Sequence, residues 1–219
     1  SIYKMQSAFC RPIALTCNLV VVKNYLCNSL YCYNNFNQVT GDKMFDFEEQ
    51  LAIGKKGELL VKNYYESQKT DEGKIKFIVR DARKEEQLKG ADFFILNNQL
   101  GTRYVEVKTD TRAEETGNVA LEIQVVYGDT KTIGCALKTF PDFLFYWIYP
   151  TNQLLYWTPD ALIPYIIDWI IEDKYRIVDA ENKNFFSRSL IVPIEDVLAT
   201  GVAHSISVSY HLLDLVETS

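Results

Sequence analysis

Residues 90–108 read Gly-Ala-Asp-Phe-Phe-Ile-Leu-Asn-Asn-Gln-Leu-Gly-Thr-Arg-Tyr-Val-Glu-Val-Lys, with Thr109 and Asp110 directly behind. Two runs rich in aromatic and β-branched residues, 93–96 and 104–107, flank an Asn-Asn-Gln-Leu-Gly linker, which predicts a β-hairpin. Side chains alternate along a strand, so Tyr104, Glu106 and Lys108 share one face and Val105 and Val107 the other. The valines suit a core. A carboxylate and an ammonium at consecutive positions of the opposite face do not, because burying either charge unpaired is costly. Asp92 opens the partner strand, and a register that sets it beside Glu106 brings two carboxylates and one lysine together. Two such acids repel. A divalent cation between them relieves the repulsion, and hard cations prefer oxygen ligands.

Asp92, then Glu106-Val107-Lys108 after a hairpin, resembles the Asp…Glu-x-Lys signature of the PD-(D/E)XK nuclease superfamily, the restriction-endonuclease-like fold. The proline that precedes the aspartate in the family name is Ala91 here. Thr116-Gly117-Asn118 with Glu122 is also similar to phage and bacterial members in which such a segment follows the Glu-x-Lys strand. The resemblance spans about residues 45–198 and implies an α/β fold with a central mixed sheet flanked by helices. It implies Mg²⁺ or Mn²⁺ held by Asp92 and Glu106 with the Val107 carbonyl, and a catalytic set of Asp92, Glu106, Lys108, Glu58 and Glu122. The expected activity is metal-dependent hydrolysis of DNA phosphodiesters in a prokaryotic or phage cytoplasm, by a homodimer or with a partner subunit. The alternative is a DNA- or protein-binding module on the same fold that does not cut.

The rest of the chain sets the context. Its 219 residues allow one medium domain, and 47% hydrophobic with 24% charged residues is the balance of a globular protein. No apolar run is long enough to span a bilayer, so no membrane partner is expected. A net charge of −6 argues against coating nucleic acid by bulk charge, yet is compatible with an acidic metal site and a local basic rim. Lys55, Lys56, Arg103 and Arg112 flank the proposed site and are the DNA-backbone candidates; ordinary surface charge is the competing reading for each. Composition changes at Met44, before which Cys10, Cys17, Cys27 and Cys32 crowd a stretch rich in Asn and Tyr. These cysteines match no compact zinc pattern and leave a disulfide framework open. An apolar stretch at 12–22 is broken by Asn18 and followed by no signal-cleavage site. Gly41-Asp42-Lys43-Met44 can be encoded as a purine-rich ribosome-binding sequence and start codon, so residues 1–43 are expected to be translated leader and 44–219 a single nuclease-like domain.

Helical spacing runs over 47–67, but Gly54 and Gly57 place the expected helix start near Lys55. Glu58 then lies in its first turn, either as the first-helix acid of the resemblance or as a solvated acid favoured by the helix dipole. In the alternating run 119–126, Glu122 and Gln124 are expected on one face, with Gln124 wet. Residues 142–149 and 154–157 predict a second hairpin whose first strand is buried on both faces rather than exposed as a base-stacking platform. Thr158-Pro159-Asp160 starts a helix, 189–192 is an added strand, and Pro193 precedes a short helix. The tail with His204 and His211 shows no pattern.

Overall fold

The computed structural model describes residues 47–181 and 184–218; the proposed leader lies outside them. The described residues form one compact unit built on two sheets. The elements in chain order are α1 (Phe47–Ser67), β1 (Ile78–Asp81), α2 (Lys84–Leu88), β2 (Phe93–Asn97) and β3 (Gly101–Asp110). After them come α3 (Ala113–Thr116), β4 (Asn118–Tyr127), β5 (Thr130–Ile133) and a single 3₁₀ turn, Cys135–Leu137. The second hairpin is β6 (Phe143–Ile148) and β7 (Gln153–Trp157), followed by α4 (Pro159–Ile171) and β8 (Ile177–Glu181). The chain closes with β9 (Phe186–Pro193), α5 (Ile194–Ala199), β10 (His204–Ser207) and α6 (Tyr210–Glu217).

One sheet has the order β1-β2-β3-β6-β7-β10 and is mixed: β3 runs parallel to β6, and every other neighbour is antiparallel. Both expected hairpins lie in it. In the first, Asn97 pairs with Gly101, whose φ of 68° is the left-handed conformation that lets a short loop close. In the second, all six residues of β6 are buried, as a strand covered on both faces requires. The other sheet, β5-β4-β9-β8, is antiparallel throughout and is additional to the single central sheet that the sequence predicts.

Helix α1 packs its Gly57, Leu60, Val61 and Tyr65 inward, a stripe at helical spacing. Each fully buried aliphatic side chain of that stripe contributes about 1.5–3 kcal/mol relative to exposure. Tyr65 meets Phe77 and Phe145 edge-on at 5.1 and 5.7 Å between ring centroids. The expected start at Lys55 is corrected: the helix already runs from Phe47 through both glycines. Gly57 is there for contact, since a Cβ on it would lie 1.9 Å from Thr109 Oγ1 on β3. Glu58 therefore sits well inside α1, beyond the reach of an N-terminal dipole. The tail that showed no pattern forms edge strand β10 and helix α6, which packs on α1.

The bulge in β4 corrects a second expectation. Glu122 pairs with Ser189 and Gln124 with Arg188, so Ile123 is an extra residue that shifts the alternation. Gln124 is consequently buried, not wet, while Glu122 stays half-buried on the other side. Gly134 closes against this bulge, where a Cβ would meet the Glu122 carbonyl oxygen at 2.3 Å.

Candidate active site

Asp92 is seated just ahead of β2. Its backbone N–H donates to the Val105 carbonyl at 2.8 Å, and its own carbonyl accepts from Ala82 N at 3.1 Å. Its Oδ2 accepts from Val107 N at 2.7 Å, so the side chain caps β3 where β2 no longer pairs with it. Continuing the Phe93–Val105 register puts Asp92 opposite Glu106, on the same face.

Glu106 is only 6% exposed, a rare place for a carboxylate, and Lys108 Nζ lies 2.8 Å from its Oε1. Burial pushes the Asp92 carboxyl up to about 7, and the Glu106 charge adds to the shift. One ammonium thus faces more negative charge than it balances. Burial works against the Lys108 charge, but Cys135 once it ionises, Glu106 and Glu122 outweigh it and raise the ammonium well above the ordinary lysine range.

Glu58 reaches the same field from α1. Burial raises its carboxyl against the pull of Lys62, and Glu106 and Asp81 raise it further. Lys62, one turn along, bridges Asp81 at 2.6 Å and Glu58 at 3.9 Å. Glu122 arrives from the second sheet: its Oε1 accepts from Cys135 N at 3.2 Å, which brings its charge beside Lys108. The structure therefore gathers Asp92, Glu106, Lys108, Glu58 and Glu122 into one electrostatic cluster.

Cys135 closes the cluster from the 3₁₀ turn; burial pushes its thiol up to about 12, so it is an inert apolar wall. Tyr146, beside Lys108 in the β3–β6 register, donates to Asp110 Oδ2 and accepts from Ala120 N at 2.9 Å. This buried link ties β3, β6 and β4 together. Sequence reasoning missed both residues, because neither contact is implied by local spacing.

No family model, curated protein or solved structure matches the chain. The chemistry of the cluster therefore stands on its own residues.

The basic candidates are dispersed rather than gathered at the cluster. Lys56 is held by Glu217 of α6 at 2.5 Å, and Lys55 is exposed on α1. Arg103 lies on the valine face of β3, opposite Glu106 and Lys108, with Nη1 3.7 Å from Asp142 Oδ1. Arg112 precedes α3, its N–H donating to Asp110 Oδ1 at 2.7 Å.

The donor set fits a hard divalent cation in one respect: the half-buried Asp92 and the buried Glu106 are two oxygen donors whose charges oppose each other. Among the described residues no three acidic, histidine or cysteine side chains converge at ligating geometry. A cation here would take two side-chain ligands from the protein and complete its shell with solvent, backbone and substrate oxygens, as magnesium commonly does.

Proposed function

We propose that this chain is a metal-dependent DNA phosphodiester hydrolase of the PD-(D/E)XK type, with its site at Asp92, Glu106 and Lys108. The carrying observation is the pairing of the buried Glu106 with Lys108 next to Asp92, whose carboxyl burial and Glu106 push up to about 7. The order helix, antiparallel β1-β2-β3 and then β6 parallel to β3 supports a restriction-endonuclease-like core for the sheet that carries them.

Asp92 and Glu106 would hold Mg²⁺ or Mn²⁺, with the Val107 carbonyl as a further ligand. When bound, the cation supplies charge stabilisation at the scissile phosphate and a water of lowered pKa. Lys108 is paired with Glu106 at 2.8 Å and presents a compact ammonium to an attacking water or to the charge developing on phosphate. Glu122 beside that ammonium helps to keep it protonated, and Glu58 faces the pair from α1. Val107 N–H fixes the Asp92 carboxylate so that one oxygen remains for the site.

The test is cleavage of duplex, single-stranded and branched DNA at low salt with Mg²⁺ or Mn²⁺. Cutting is expected in the wild type and lost in Glu106→Ala, with calorimetric metal binding weakened in Asp92→Ala and Glu106→Ala. Absence of cutting on every substrate, with the fold intact, would overturn the hydrolase and leave a binding module on the same framework.

A further inference from the structure

The face of β3 that carries Glu106 and Lys108 continues toward the hairpin with Tyr104, one strand repeat, or roughly 7 Å, from Glu106. Phe94 is the cross-strand neighbour of Tyr104, with ring centroids 6.0 Å apart. Phe140, from the segment ahead of β6, lies on the other side at 4.7 Å and 37°. These three rings form a row beside the acidic cluster. The Tyr104 hydroxyl donates to Glu86 Oε1 at 3.0 Å, which fixes the middle ring.

Two features set the row apart from core. First, all three rings are half-buried, whereas the core aromatics Phe93 and Phe145 are fully buried. Second, the row is edged by cations. Arg80 pairs with Phe94 in the β1–β2 register and extends the row across β1. Lys89 Nζ stands 5.1 Å from the Phe140 ring centre, and the Lys138 stem lies across Gly90, where a Cβ would meet its Cδ at 2.7 Å. Among the described residues the salt bridges leave Arg80, Lys89 and Lys138 without a carboxylate partner. The carboxylates at the row, Glu86 and Asp142, already face Arg83 at 2.8 Å and Arg103 at 3.7 Å, so Arg80, Lys89 and Lys138 are left over to meet an anionic ligand.

We propose that this row binds unpaired bases of a single-stranded nucleic acid, with the backbone phosphates on Arg80, Lys89 and Lys138, and leads the strand to Glu106. The inference rests on the nucleic-acid hydrolase reading and narrows its substrate. Half-exposed rings stack on base faces without regard to sequence, and those faces are free only where bases are not stacked in a duplex. The cations left unpaired around the rings suit a phosphate chain, whose charges repeat along the strand.

The experiment measures fluorescence anisotropy of a labelled oligothymidylate of about 12 nucleotides against a duplex of equal length, at low salt with metal chelated. The single strand is expected to bind about 10-fold more tightly than the duplex. Phe140→Leu should weaken single-strand binding about 10-fold, and Phe140→Trp should restore it. Lys89→Gln should reduce the slope of log affinity against log salt by about 0.7. Circular dichroism establishes that each variant is folded. Equal affinity for both forms, or a Phe140→Leu variant that binds as the wild type does, overturns the proposal. Because binding is read without metal, single-strand binding unaccompanied by any cutting overturns only the hydrolase. Cutting of duplex with no single-strand preference overturns only the aromatic row.

Discussion

Two groups of opposite charges sit on strands of this molecule, and they are built differently. Across β8 and β9, Arg188 directs Nε to Asp179 Oδ1 at 2.7 Å and Nη2 to Oδ2 at 2.8 Å, one guanidinium for one carboxylate at a 39% exposed position. Across β2 and β3, a single Lys108 answers Glu106 and Asp92 together, with Glu58 and Glu122 adding more acid. The first group is closed: every charge has its match and nothing is left for a ligand. The second is open, because its acids outnumber its base and one of them titrates near neutrality. An imbalance that burial makes costly is a better pointer to chemistry than an ion pair as such.

The largest expected break in this contrast is at Lys108. Under the proposed hydrolase reading, Lys108→Ala should lower DNA cutting by more than about 100-fold while metal binding and the fold persist, since the ammonium would act on rate rather than on assembly. Single-turnover cleavage and calorimetry on the same preparation check it, and equal activity in the variant would remove Lys108 from the chemistry.

The next effect is on stability and depends on pH. Asp92 has its folded carboxyl raised to about 7 against an ordinary value near 3.8, so between those values the folded state holds a proton that the unfolded state has released. In chelator, stability should therefore fall as pH rises through that window, by up to about 1.4 kcal/mol per pH unit. Asp92→Asn should flatten the profile, and added Mg²⁺ at neutral pH should restabilise the wild type but not the variant. Urea denaturation across the window measures both. A wild-type profile that rises over the same range would contradict the crowding of Asp92 with Glu106.

A smaller effect follows from the seat of α1. Gly57→Ala places a methyl group against Thr109 Oγ1 and should cost about 1–3 kcal/mol, outweighing alanine's helix advantage of about 1 kcal/mol. Adding Thr109→Ala removes the obstructing oxygen and should recover most of the loss in a double-mutant cycle. The smallest effect belongs to the closed pair: Arg188→Gln or Asp179→Asn should cost under about 1 kcal/mol and leave cutting unchanged.

What could be read from the sequence followed from short-range periodicity. The alternation at 93–96 and 104–107 predicts the hairpin, whereas the meeting of Asp92 with Glu106 needs a register that the pattern leaves open and the Phe93–Val105 pairing supplies. The unbroken apolar run of β6 predicted a strand covered on both faces. The failures were of longer range. Gly57 reads locally as a helix breaker, and only the approach of β3 explains it. The bulge that turns Gln124 inward is set by β9, far along the chain, and no local pattern announces it. Glu122 entered through a family-like context, whereas its contact with Cys135 depends on a fold back across the bulge. The aromatic row lay in the organising stretch itself, yet Phe140 and the cations that complete it come from other segments.

The parallel contact between β3 and β6 also governs when the cluster can come into being. Asp92 and Glu106 meet through a hairpin, a local event on the microsecond scale. Lys108 acquires its β6 neighbour Tyr146 only after the whole of β4 and β5 has been looped out, and β4 in turn finds its partner where Asn118 meets Pro193. Such distant closures lose chain entropy before any contact rewards them, so they belong to the slow part of folding. During synthesis the acidic pair therefore forms early, while the enclosure that raises the Lys108 ammonium waits for Glu122 and Cys135 to fold back beside it. The order of assembly leaves the cluster incomplete until these later segments are in place.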